Sequence, residues 1–278
     1  MYFLVLLLVL WIEKFSAWRR HIQQDGFWLR ELAKAEANPR MAGNAWLILA
    51  LLVLLPLVLL GLVLLALEPV AYGWLALPVH LLVIVYSLGR GDVLEDIGPF
   101  RDAWRRGDTQ GAYHVAERDM GLEAEEGGDL LNQVQGYQLW QAYQGFFAVI
   151  FWYALLGPVA ALAYRLLALA SEHASIEPLR ERAEMIRHAF DWLPVRVLAA
   201  SFSLVGNFVG VSRVLLHELL SWEIPARRYI ELAGRAAAEL PEPASGDAGV
   251  ATLDALWQLL VRAAVLWYAG FAVWTLLL

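Results

Sequence analysis

The sequence predicts an all-α fold, a polytopic membrane helical bundle that forms a single membrane domain over 1–278 and carries amphipathic and small cytoplasmic helical segments. Three observations predict it. Hydrophobic residues make up 60% of the 278 residues, at a mean hydropathy of +0.52, well above the ~45–50% apolar content of soluble domains. Uncharged apolar runs of about twenty residues recur, the length a helix needs to cross a ~30 Å hydrocarbon core. The charged residues, 18% of the chain, are gathered in 13–40, 90–129 and 172–196 instead of coating it evenly. The chain has no cysteine, which removes disulfide scaffolds, thiol catalysis, thiolate zinc sites and iron–sulfur clusters. A net charge of −7 with no Lys/Arg stripe excludes a nucleic-acid partner.

Taken in order, Met1 to Ile12 is apolar but lacks a basic n-region before it and a small-residue cleavage site after it, so it is not read as a cleaved signal peptide. Segment 1–18 is a marginal membrane segment, spanning only if Glu13 to Trp18 extend it by snorkelling. Residues 45–67 are a strong span, a Leu/Val run without a charge in which Pro56 and Gly61 are tolerable in lipid. Glu68-Pro69 makes a turn, and 70–88 forms a second strong span carrying His80 near its middle. The third, 137–156, extends to 170 through a kink at Gly157-Pro158 and holds one charge, Arg165. The fourth is 253–278. Segment 197–211 is marginal, as consistent with a re-entrant helix as with a crossing.

Orientation follows from the short-loop basic residues: 13–44 carries Lys14, Arg19, Arg20, Arg30, Lys34 and Arg40, while the 68–69 turn carries none. That places 13–44 in the cytoplasm and the turn outside, and makes 89–136 a cytoplasmic helical insert. The side of 171–196, which is balanced in sign, depends on whether 137–170 crosses once, and a single crossing is expected. Glu172 to Phe190 reads as an amphipathic helix, with Ile176, Leu179, Ala183, Ile186 and Phe190 at helical spacing. Pro241 to Gly246 reads as a linker.

Four features carry candidate chemistry, each with a plainer competitor. The acids Asp119, Glu123, Glu125, Glu126 and Asp129 offer oxygen ligands for Mg²⁺, with Asp119 and Glu123 as weak metal candidates; a solvated acidic loop accounts for them as simply. Arg118 beside Asp119 can clamp an anion, or form a surface ion pair. His80 is an intramembrane polar group whose burial costs free energy, or a neutral imidazole bonded to a neighbouring helix. Arg165, Arg196, Arg213 and Arg262 stand at membrane boundaries, where they gather around an anion or snorkel to the interface. The thirteen tryptophans, among them Trp11, Trp18, Trp46, Trp74, Trp140 and Trp192, fit an aromatic belt. No phosphate-binding loop, nucleophile elbow or zinc-protease motif is present, and no histidine spacing suggests a metal site.

Gly157-Pro158 followed by Ala161-Leu162-Ala163-Tyr164-Arg165-Leu166, and then Asp191-Trp192-Leu193-Pro194-Val195-Arg196, resembles the AmpE family of inner-membrane proteins associated with β-lactamase induction. The order of segments, the upstream hairpin, the Arg118-Asp119 region and the C-terminal span extend the resemblance along the chain. AmpE-type proteins are in turn similar to the CobD/CbiB cobalamin-biosynthesis membrane proteins. Arg118 with Asp119, Gly157, Pro158, Tyr164 and Arg165, and Pro194 with Arg196 match that wider pattern. An acidic pair and an Asn upstream of Pro-x-Arg do not: Arg187, His188 and Asp191 stand there. An Ala-Glu-Asn element is replaced by Trp140 to Gln144.

The resemblance implies a bacterial inner-membrane, multi-pass protein acting as a regulatory or sensory accessory in β-lactamase induction and peptidoglycan recycling, and not an enzyme. Its expected ligand is anionic, a muropeptide or a similar small molecule, contacted by Arg118, Asp119, Tyr164, Arg165, Asp191 and Arg196. The lipid bilayer and a second copy of the chain are the other expected partners. One alternative is a CobD/CbiB-like ATP-dependent amide ligase, the only reading that needs Mg²⁺ and ATP as cofactors; the other is a transporter or lipid-binding bundle.

Overall fold

The computed structural model describes residues 2–15, 22–69, 74–89, 93–122, 130–216, 218–240 and 246–277. All regular structure among them is helical. In chain order the helices are α1 (Tyr2–Phe15), α2 (Gly26–Ala37), α3 (Pro39–Ala42), α4 (Ala45–Leu67), α5 (Ala76–Ser87), α6 (Val93–Asp96), α7 (Gly98–Arg105), α8 (Thr109–Met120), α9 (Leu130–Leu156), α10 (Pro158–His173), α11 (Glu177–Val205), α12 (Phe208–Leu215), α13 (Ala226–Ala237) and α14 (Asp247–Leu277). Among the described residues three helices are long and apolar enough to cross a membrane: Ala45–Leu67, Leu130–Leu156 and Asp247–Thr275. The protein is therefore an all-α membrane protein.

Local chemistry explains where these helices start and stop. Asn38 accepts from Arg40 N at 3.0 Å with Pro39 at the first helical position, and Asn44 accepts from Leu47 N at 3.2 Å, so two asparagine caps separate α2, α3 and α4. Asp108 caps α8 through Gly111 N, and Gly121 ends it in the left-handed conformation. Between α9 and α10, Gly157 adopts φ 81° and Pro158 opens the next helix, a pairing that stops one helix and starts another. Sequence reading extends the third span as a kink to 170; the chain turns there into a separate helix. Two single π turns interrupt long helices, Ala50–Leu54 in α4 and Tyr143–Phe147 in α9. In the first, the Leu52 carbonyl accepts from Trp28 Nε1 at 3.1 Å, giving the displaced carbonyl a partner where water is absent.

The chain divides into two compact units, Met1–Arg90 with Ala148–Asp191, and Gly91–Phe147 with Trp192–Leu278. In the first, α2 lays Trp28, Leu32 and Ala35 against Ile48, Leu49, Leu52 and Val53 of α4, and Leu166, Leu169, Ala170, Leu179 and Ala183 of α10 and α11 complete the core. The opposite side of α4 exposes Leu51, Leu55, Leu59 and Leu62, the pattern of a helix bathed in lipid on one side. At the start of α11, Glu36 accepts from the Ser175 and Ile176 amides, satisfying N-terminal donors with a charge the helix dipole favours.

In the second unit, Ile97, Phe100 and Ala103 pack with Ala112, Ala116 and Met120 and with Leu130, Leu131, Val134 and Leu253. The insert read as cytoplasmic thus packs around a hydrophobic core that Leu253 of α14 completes. Arg101 Nη2 meets Asp254 at 2.5 Å, Gln135 donates to Thr252 at 2.8 Å and Gln138 donates to the Leu253 carbonyl at 3.1 Å, tying that core to the start of α14.

Candidate functional site

The richest polar group lies in the first unit and is built from the facing surfaces of α10 and α11. Tyr164 and Ser171 stand two helical turns apart on α10, and Arg187 and Asp191 stand one turn apart on α11, so each pair shares a face. The Tyr164 hydroxyl donates to Asp191 Oδ1 at 2.9 Å. Arg187 Nε lies 3.6 Å from Asp191 Oδ2, while its Nη1 donates to Ser171 Oγ at 2.8 Å and to Glu172 at 3.0 Å. All of these except Glu172 are buried. Burial alone lowers the Arg187 pKa, but the Tyr164 oxygen and the carboxylates of Asp191 and Glu172 more than offset it, so the guanidinium is held above the usual arginine value. Its charge is met inside the protein.

Arg165 follows Tyr164 by one residue and therefore points away from that face. Its Nη2 donates to Asp25 Oδ2 at 2.8 Å, with side-chain exposures of 15% and 5%. Asp25 sits at the N-cap position of α2 but makes no side-chain cap bond; it reaches Arg165 instead. Arg165 Nε is buried and, among the described residues, has no acceptor. Close by in sequence, Gln23 donates to the Val85 carbonyl at 2.9 Å, so the stretch before α2 is fixed to α5 as well as to α10.

The remaining predicted residues lie elsewhere. Arg118 and Asp119, in the second unit, form a bidentate pair with each other at 2.7 Å on both arms, both exposed to solvent. The hydrogen bond from Arg118 holds the Asp119 carboxyl below its ordinary value. Arg196, also in the second unit, donates to the carbonyls of Leu219, Trp192 and Ser221 and lies over the rings of Trp192 and Tyr229 at 4.2 and 4.9 Å. His80 is buried in the first unit, its Nδ1 hydrogen-bonded to the Tyr153 hydroxyl at 3.0 Å. Glu123, Glu125, Glu126 and Asp129 lie outside the described residues, and among those described no cluster of three or more metal-ligating side chains occurs.

Sequence reading missed Asp25. Nothing in its surroundings distinguishes it from other acids of the 13–44 segment, although an aspartate just before a helix in a chain with an arginine inside an apolar run is a signal worth following. Ser171 and Glu172 were likewise not singled out, because their role depends on the neighbouring helix.

No curated protein and no solved structure matches the chain. The residues that built the site, from Asp25 through Tyr164 and Arg165 to Arg187 and Asp191, nonetheless fall within one recognised pattern. Residues 1–219 match the family described as regulatory signalling modulator protein AmpE, which makes this chain, over more than three quarters of its length, a member of the AmpE family of regulatory membrane proteins.

Proposed function

We propose that this chain is a multi-pass protein of the bacterial inner membrane that takes part in β-lactamase induction and peptidoglycan recycling by responding to an anionic cell-wall fragment, with Arg165 as the principal ligand contact. Membership of a regulatory family supports the class of function, and the observation that carries the contact is the Arg165 guanidinium. Arg187 is enclosed by two carboxylates and Arg196 spends its donors on main-chain carbonyls. Arg165 is paired on one arm with Asp25, and its buried Nε has no hydrogen-bond acceptor among the described residues, whereas the Nε of Arg187, also without a hydrogen bond, faces the Asp191 carboxylate at 3.6 Å. An unsatisfied buried donor costs about 1–3 kcal/mol, a cost that a carboxylate or phosphate removes by accepting from it. Tyr164 and Asp191, next along α10 and facing it from α11, fix the helix pair from which Arg165 projects.

Deleting the gene in its host and measuring β-lactamase activity before and after exposure to a β-lactam tests the reading. Induced activity shifts by tenfold or more, roughly the response of a coupling of about 1.4 kcal/mol, and returns when the wild-type chain is supplied again. Identical induction with and without the chain overturns it.

A further inference from the structure

We propose that residues 208–216 and 218–222, α12 and the turn after it, form an interfacial element that lies within the headgroup and acyl boundary of the bilayer instead of crossing it. Four observations converge on this. The eight residues of α12 rise only ~12 Å, far short of a hydrocarbon core. The chain enters α12 through a corner fixed by α13: Asn207 N donates to the Ala237 carbonyl at 2.9 Å, its Oδ1 accepts from Gly210 N at 2.8 Å, and its Nδ2 donates to Glu239. A Cβ at Gly206 would lie 2.6 Å from the Ala237 oxygen and one at Gly210 2.9 Å from the Ala236 oxygen, so the approach of α12 to α13 admits only glycine at both positions.

The outer surface of this element is apolar. Val211 and Leu215 are buried, whereas Phe208, Val209, Leu216, Leu219, Leu220 and Trp222 are exposed, Leu220 to 80%. So dense a run of exposed large apolar side chains marks an interaction surface. The non-helical backbone behind it is satisfied from within: Arg196, 8% exposed, donates to the carbonyls of Leu219 and Ser221. A turn in water needs no such partner, because water accepts and donates there; a turn dipping into a lipid boundary does.

The location follows from α14. Trp267 Nε1, well inside the membrane-spanning part of that helix, donates to Ser201 Oγ near the end of α11 at 2.7 Å. That bond sets the end of α11, and Leu204 exposed beyond it to 71%, at the depth of a membrane span. Val261, Val265 and Val273 of α14 are exposed apolar side chains of the same kind. Exposed Trp222 and Arg213 suit the headgroup level, the first as an amphipathic ring and the second by snorkelling. The occupant is therefore bilayer lipid.

The cysteine-free chain makes the test direct. Single variants Leu220→Cys, Leu216→Cys and, as an aqueous reference on α8, Glu117→Cys are labelled with an environment-sensitive fluorophore in the full chain reconstituted in phosphatidylcholine and phosphatidylglycerol vesicles. A shallow lipid-borne spin-label quencher should remove about half of the emission at 220 and 216 and iodide less than about a tenth, with the order reversed at 117, as expected of groups seated ~5–10 Å into the boundary. Iodide quenching at 220 and 216 equal to that at 117 overturns the proposal. So does protection of both positions from both quenchers, which would place a second copy or another protein on this face.

Discussion

Arg165 with Asp25 and Arg118 with Asp119 are both arginine–carboxylate pairs, and their surroundings could hardly differ more. The first closes over 140 residues of chain, with side-chain exposures of 15% and 5%. The second joins adjacent residues on α8 with exposures of 73% and 31%. The exposed pair has the better geometry, bidentate at 2.7 Å, yet solvent competes with both of its bonds and screens its charges. The buried pair makes a single bond, but removing either partner strands a charge in a poorly solvated place. Geometry alone does not rank the two; burial does.

The largest expected effect comes from breaking the buried pair. Asp25→Ala or Arg165→Ala should lower the stability of the folded chain by about 3–5 kcal/mol, read as a fall in the unfolding midpoint of the purified protein. The double variant Asp25→Leu with Arg165→Met should recover most of that loss, because an apolar pair of similar volume leaves no charge behind. A loss in the double variant equal to the summed losses of Asp25→Leu and Arg165→Met made singly would show that these residues do not act on each other.

An intermediate effect is expected at Tyr164, whose hydroxyl donates to buried Asp191. Tyr164→Phe keeps the ring packing and removes one bond to a charged acceptor, a change of about 1.5–3 kcal/mol in the same unfolding measurement. A midpoint equal to that of the wild type would mean that Asp191 is fully satisfied by its other neighbours.

The smallest effect belongs to the exposed pair. Arg118→Ala should leave the unfolding midpoint unchanged while altering a titration. The Asp119 carboxyl is held low in the folded chain by the Arg118 hydrogen bond, so this contribution is present above the unfolded aspartate pKa and is lost as pH falls through the depressed folded value. Carbon-13 NMR of labelled aspartate should show the Asp119 midpoint rising to the ordinary carboxylate range in Arg118→Ala. No movement of that midpoint would remove the pairing in solution.

The same contrast explains what was legible in the sequence. The uncharged run 45–67 could be read as a span because crossing lipid is a matter of composition and length, both present in the residues themselves. Gly157-Pro158 could be read as a break because the cause is local backbone chemistry. Arg118 with Asp119 was visible as adjacent residues. Asp25 with Arg165 was not, since periodicity tells which face of a helix a residue occupies and not which distant segment will lie against it. Arg196 was visible as an arginine at a membrane edge, but its partners are carbonyls of a turn, and main-chain acceptors have no signature in a sequence.

Arg165→Lys isolates the unmatched Nε of Arg165. Lysine keeps the positive charge opposite Asp25 but lacks the planar fork and the Nε donor. In a host lacking the native gene, the Arg165→Lys chain should reach wild-type abundance in the membrane and fail to restore β-lactamase induction, leaving it tenfold or more from the wild-type response, a difference of about 1.4 kcal/mol in ligand coupling. Full induction by an Arg165→Lys chain of normal abundance would contradict the account, because the ion pair with Asp25 would then be all that Arg165 contributes.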